Sequence, residues 1–393
     1  MGVKRVRNRW GILAVLFAVR ATMAFQFQSV AAVAPLLSSE YGVGLADVGV
    51  LIGLYFAPGV ALALPGGAIG QRFGDKTTVI GALLLMLAGS VAMASAVSWN
   101  MQIAGRLVAG AGGVILSVQM TKMLTDWFAG KEIATAMAIF VNSWPAGIAI
   151  ALLTLPLVGT GYGVAAVHLA VAASAGLGIL LIVALYTAPT NAVSAPAAAA
   201  MGLDRNTALA VMAAGLIWGL FNVGFATVFS FGPSMLVERG WSVTAAGSTI
   251  SIVLWVAAIS VPLGGFIADR SGRPELILVV GCILFAALMI ALPRSGAVIL
   301  TVAALGLISG QPAGPIMSLP ARVLRPQTRA IGMGLFFTIF YGCMMLGPVL
   351  GGACAKWAGT AAAAFDFGAA MILLCPFILW AFNRIPQPIP KAA

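Results

Sequence analysis

From Gly11 to Leu37 the chain reads GILAVLFAVRATMAFQFQSVAAVAPLL, an apolar run carrying one charge, Arg20. At about 1.5 Å of rise per residue, a helix of this length crosses the ~30 Å hydrocarbon core of a bilayer with turns to spare. With helix entry near Trp10, Arg20 lies about 15 Å deep, close to the midplane. A guanidinium at that depth costs at least about 2.5 kcal/mol unless it faces a polar interior. Leu16 to Val19 before it and Ala21 to Ala24 after it are apolar or small, so no acid in the run neutralises it. Two uses are open. Arg20 holds an anion, or it is a structural arginine bonded to backbone carbonyls and neighbouring helices.

Further apolar spans fall at 46–69, 77–97, 101–124, 133–156 and 163–186, and a second set at 208–232, 243–267, 275–293, 297–318, 331–353 and 361–382. With 61% hydrophobic and 8% charged residues, the chain lacks the polar surface of a soluble domain, which is about 25% charged. The reading is an all-α membrane protein with twelve transmembrane helices. Residues 1–186 form an N-terminal six-helix bundle and 208–393 a C-terminal one. The stretch 187–207, rich in Ala and Pro, is a cytoplasmic linker on the membrane surface. Lys4, Arg5, Arg7 and Arg9 before an apolar run imitate a secretory signal. The run is too long for one and carries Arg20, so an uncleaved first helix is expected.

The formal net charge of +11 belongs to topology. With the N-terminus inside, cytoplasmic segments hold sixteen of the 21 Lys and Arg residues and outer loops three, Arg239, Arg294 and Lys356. That bias places both termini in the cytoplasm, in a multi-pass protein of the cell inner (plasma) membrane. Its lipid partner is the bilayer, and nucleic acid is not an expected partner. Four cysteines, Cys282, Cys343, Cys354 and Cys375, lie in or beside apolar spans without metal-ligand spacing, so neither disulfides nor a metal site is expected.

The two sets of spans are related. Sliding the chain by 198 residues puts Pro35 on Pro233, Glu40 on Glu238, Gly42 on Gly240, Gly49 on Gly247, Arg72 on Arg270 and Gly74 on Gly272. Two similar halves of parallel topology suit a rocking transporter with its substrate site near the midplane.

The loop after the second span, Gly67 to Lys76, reads GAIGQRFGDK, and its copy from Gly265 to Arg273 reads GFIADRSGR. Here the chain resembles the major facilitator superfamily, whose signature at this place is G-x-x-x-D-R-x-G-R-K. The resemblance implies two pseudo-symmetric six-helix bundles and a cytoplasmic gating latch. Asp269, Arg270 and Arg273 would serve it in the second half, and Arg72 with Lys76 in the first. The first copy departs from the pattern, with Gln71 at the Asp position and Asp75 at an Arg position. In helix four, RLVAGAGG from Arg106 to Gly113 is similar to the family's arginine followed by small residues. The glycines permit close packing, and Arg106 is either a second basic contact or a residue bonded to a neighbouring helix. Arg20 with Pro35 also resembles, more loosely, the cyanate and nitroimidazole group and the organic-anion transporters. GCMMLGPVLGG, from Gly342 to Gly352, resembles part of an exchanger-associated motif but sits in the wrong half, so it reads as a flexing and packing element.

Helix one continues past Arg20 with Phe27 and Gln28 on the same face. Asn142 and Trp144 precede Pro145 in helix five, Trp218, Phe221 and Asn222 lie in helix seven, and Gln311 sits in the breaker-rich GQPAGP of helix ten. These residues, with Arg20, are the substrate-binding candidates. All ten acids lie in loops or near helix ends, and His168 is the only histidine. No Walker motif, nucleophile–base set or cofactor site is present in the sequence, so the chain is not expected to be an enzyme. The resulting expectation is a secondary or facilitative transporter, monomeric, that moves a small anion (a monocarboxylate or another small inorganic or organic ion) by alternating access. Its rivals are efflux of amphipathic drugs and a non-transporting membrane sensor.

Overall fold

The computed structural model describes residues 8–62, 72–128, 133–188, 203–325 and 328–386. Helices dominate because the apolar spans leave no other way to bond their backbone groups in lipid. In chain order they are α1 (Arg9–Ala32), α2 (Ala34–Tyr41), α3 (Leu45–Gly53), α4 (Ala57–Leu62), α5 (Asp75–Ala94) and α6 (Trp99–Phe128). Next come α7 (Ile133–Val141), α8 (Ser143–Leu185), α9 (Arg205–Glu238), α10 (Val243–Ser271) and α11 (Pro274–Ala291). After a short 3-10 turn follow α12 (Val298–Ser309), α13 (Ala313–Ser318), α14 (Arg329–Ala358) and α15 (Ala362–Arg384). Among the described residues eleven stretches are long and apolar enough to cross a membrane. One of them, Ile139–Leu185, runs 47 residues. It is interrupted at Gly163, whose φ of 83° and ψ of 173° no helix adopts. Counted as two, it brings the crossings to twelve.

Packing divides the chain into two units. The first comprises Met1–Gly44, Leu54–Ser194 and Ser242–Ser251, the second Leu45–Gly53, Ala195–Trp241 and Ile252–Ala393. Relative to a cut at the linker, two short segments are exchanged. A glycine explains each. A Cβ on Gly49 of α3 would overlap Pro348 O of α14, and one on Gly247 of α10 would lie 2.5 Å from Leu152 O of α8. Only bare Cα atoms permit such seams, and the two glycines are partners in the 198-residue repeat. Gly42 and Gly240, and Gly74 and Gly272, are also repeat partners, and all four take positive φ, a conformation that L side chains rarely adopt.

In the first unit α1 packs along α8, and α5 lies against α6 and α8. The glycines of RLVAGAGG divide their work. A Cβ on Gly112 would strike Ala82 O of α5, while one on Gly110 would strike Tyr55 O. In the second unit α9 packs on α14 and α15, and α11 on α15. The GQPAGP stretch breaks the helix between α12 and α13. Glycines seat that break: a Cβ on Gly264 would come 2.6 Å from Gln311 Cα, and one on Gly281 2.7 Å from Pro312 Cγ.

Candidate functional site

In the first unit the chemistry gathers where α7 ends and α8 begins. Pro145 has no N–H for the carbonyl four residues back, and the helix is interrupted at Asn142. At this break Phe140 O accepts 2.6 Å from Ser143 Oγ and 3.1 Å from Arg20 Nη1. The Arg20 guanidinium also lies 4.6 Å from the centre of the Phe140 ring. A Cβ on Gly147 would overlap Ala21 O, so α1 and α8 touch beside the arginine. Arg20 itself is half-buried.

Arg106 differs. It is 0% exposed, and its two terminal nitrogens donate to consecutive carbonyls of α1, Gln26 O at 3.0 Å and Phe27 O at 2.6 Å. Its guanidinium sits 4.6 Å from the Tyr55 ring centre and 5.7 Å from that of Phe27. Gln26 turns to α5, donating to Met86 O at 2.8 Å and Ser90 Oγ at 2.7 Å, and it accepts from Tyr55 OH at 3.1 Å. His168, 1% exposed, belongs to the same interior. Charge-assisted bonds to carbonyls offset the cost of burying the cation.

Phe27 begins an aromatic cluster. Its ring stacks on Trp144 at 5.4 Å and 27°, and meets Phe56 at 4.9 Å and Tyr55 at 5.6 Å. Phe27, Tyr55 and Phe56 are buried, whereas Trp144 and Asn142 are half-buried. Gln28 is 0% exposed. Of the first-half candidates, then, Arg20, Asn142 and Trp144 keep exposed surface, and Phe27 and Gln28 lie behind them. Phe140, Tyr55 and Phe56 carry no mark in the sequence that separates them from other core aromatics.

In the second unit Trp218 stacks near Phe221 (5.9 Å, 22°) and Phe340 (6.3 Å). Asn222 Nδ2 donates to its own helix at Trp218 O, 2.7 Å. Gln311 Nε2 donates to Ser260 Oγ at 3.1 Å and Leu307 O at 3.3 Å. Trp218, Asn222 and Gln311 are half-buried and Phe221 is buried.

The latch candidates take individual places. Arg72 is exposed, its guanidinium 5.5 Å from the Phe73 ring centre. Lys76 Nζ donates to Val183 O and Tyr186 O, both at 3.1 Å, capping the end of α8. Arg270 and Arg273 are exposed. Asp269 is part of α10, and its side chain lies outside what the structure describes. Further ion pairs stand at these helix ends among the described residues. Lys122 binds Asp75 at 2.6 Å and Asp126 at 2.9 Å in the first unit. Arg322 binds Glu275 at 2.8 Å in the second, where Asn383 Nδ2 also reaches Glu275 at 2.9 Å. A shift of 200 residues superposes Asp75 on Glu275 and Lys122 on Arg322. The repeat therefore changes register by two after the glycine loop and conserves an ion pair between the same two helix ends. That register change hid the pairs from a single-offset comparison.

The sequence matches the Major Facilitator Superfamily over residues 16–339 and again over 207–393. The inner membrane transport protein YajR of Escherichia coli (strain K12) is 30% identical over 181 residues, 44% of this chain and 37% of that protein. The lysosomal dipeptide transporter MFSD1 of Danio rerio is 27% identical over 249 residues, 56% of this chain and 52% of its own length. These matches thus span about half or less of the curated relatives. Among solved structures, a bacterial homolog of the human lysosomal transporter Spinster superposes with a TM-score of 0.77 at 17% identity, covering 98% of both chains. The nucleoside transporter NupG superposes at 0.71 with 16% identity, over 95% of this chain and 100% of its own. At such identities these two speak for the fold alone. The apolar crossings among the described residues and the glycine positions shared by the two halves agree with the family match: the chain belongs to the Major Facilitator Superfamily, as a membrane-spanning transporter.

Proposed function

We propose that this transporter moves a small anion by alternating access, as a uniporter or exchanger of the inner membrane with both termini cytoplasmic, and that Arg20 holds the anion. The observation that carries the reading is the contrast between two arginines in apolar helices. Arg106 is fully enclosed by carbonyls and rings, whereas Arg20 sits half-buried at a helix break, beside the carbonyl and ring of Phe140. A cation at membrane depth with surface still open suits an anion, because a charge-assisted bond formed there is stronger than one in water. Asn142, two residues from the Phe140 that Arg20 contacts, would add an amide. Within the first unit Phe27 and Gln28 would back the anion; within the second, Trp218, Phe221, Asn222 and Gln311 are the residues we propose for substrate contact. The carboxylate of a dipeptide, the substrate in MFSD1's name, would fit the same guanidinium.

The test is thermal stabilisation of the purified protein by a panel of inorganic anions, monocarboxylates, dipeptides and nucleosides, repeated with Arg20→Gln. A ligand at a hundredfold excess over its Kd adds about 2.7 kcal/mol. The expected result is that at least one anion stabilises the wild type and leaves the variant unmoved. The aromatic clusters around Phe27 and Trp218 favour a second reading, efflux of amphipathic compounds. Lipophilic cations or neutral drugs stabilising both proteins equally would establish it instead.

A further inference from the structure

We infer that the anion carries a flat apolar body, so that an aryl-bearing monocarboxylate fits this site better than an inorganic ion does. The inference rests on Arg20 as the anion holder and adds the shape of the ligand. Arg20 and Phe27 are seven residues apart on α1. Seven steps of 100° return to within about 20° of the starting direction, about 10 Å further along the axis. The ring stacked on Phe27, that of Trp144, therefore lies over the same face of α1 as the guanidinium, some two turns on.

The helix break sets both ends of this strip. Phe140, under Arg20, is in the last turn of α7, and Trp144 is the second residue of α8. Phe27, Tyr55 and Phe56 behind Trp144 are 1%, 0% and 2% exposed, so they fix the indole in place and leave it as the ring of the cluster that keeps exposed surface. Half-buried Asn142 lies between the two levels in sequence. A bare ion would use the guanidinium and leave the exposed surface of the indole uncovered. A carboxylate joined to a planar ring would use both, charge on Arg20 and π-face on Trp144.

The experiment compares acetate, phenylacetate and neutral phenylacetamide as thermal stabilisers of the purified protein and of Trp144→Leu, Trp144→Phe and Arg20→Gln. The ligand-free melting temperature of each variant confirms that it folds. We expect phenylacetate to act at a concentration about tenfold below that of acetate, and phenylacetamide to do nothing. Trp144→Leu should raise the phenylacetate midpoint about three- to tenfold, the range for one lost stacking contact, and Trp144→Phe should recover most of it. Equal potency of acetate and phenylacetate, or an unchanged midpoint in Trp144→Leu, overturns the inference about shape while leaving Arg20 as anion holder. Phenylacetate acting equally on Arg20→Gln overturns the Arg20 reading itself. No effect of any aryl carboxylate up to about 10 mM, where binding is weaker than any useful affinity, also overturns the inference.

Discussion

Arg20 and Arg106 each stand in an apolar stretch of a long helix, and their sequence surroundings do not separate them. What separates them is tertiary. Arg106 sits beside the carbonyls of residues 26 and 27 and the rings of Tyr55 and Phe27, and nothing in its own helix announces those partners. Its replacement should therefore be felt in stability. Arg106→Met removes two bonds donated by a charged group and leaves the methionine to fill a fully enclosed space. A loss on the order of 2–4 kcal/mol is expected, since each such bond contributes about 1.5–3 kcal/mol and part is recovered by no longer burying a charge. Thermal unfolding in detergent reads this directly, and a variant that melts like the wild type would reassign Arg106 to the ligand. Arg20→Gln, by contrast, should lower the melting temperature little and abolish the response to anions.

Helices and their breaks were the most legible part, because the residues that make them act within one turn. Pro145 after Asn-Ser-Trp and the prolines of GQPAGP interrupt their helices where local chemistry says they must. The partners of Asp75 were not legible, since Lys122 lies 47 residues away and the match to Arg322 and Glu275 appears only after the two-residue register change. Close helix packing falls between these cases: RLVAGAGG announces a tight seam but not against what. Space decides the next prediction. A Cβ on Gly110 would overlap Tyr55 O, and backbone there cannot step aside, whereas a Cβ on Gly81 of α5 would meet nothing within 4 Å. Gly110→Ala should destabilise by about 1–3 kcal/mol, the usual cost of overpacking a full site. Gly81→Ala should be neutral or stabilise by up to about 1 kcal/mol through helix propensity. Melting the two variants side by side checks the pair, and equal losses would contradict the seam.

For the transporter as a whole, the driving force follows from where its titratable groups lie. All ten acids are in loops or near helix ends, and those at the linker side that form ion pairs are engaged with Lys122 or Arg322 rather than with the half-buried strip around Arg20. The single histidine, His168, is 1% exposed and packed into the first unit, so it is poorly placed to load a proton from either side and release it to the other. On the proposed reading Arg20 holds the anion, and the ten acids, in loops or near helix ends, are poorly placed to accompany it with a proton. Flux should then follow the anion gradient or exchange one anion for another, and an imposed pH difference should not drive uptake. Coupling one proton to each anion would give about tenfold accumulation per pH unit, because a tenfold ratio and one unit of pH are the same free energy. Proteoliposomes loaded with unlabelled anion and given labelled anion outside, with and without a pH step, separate the two. Empty liposomes subtract the passive leak of the protonated acid. Uptake that depends on internal anion and ignores the pH step is the expected result. Concentrative uptake that collapses with a protonophore would place a proton carrier in the cycle and make His168 the first residue to replace.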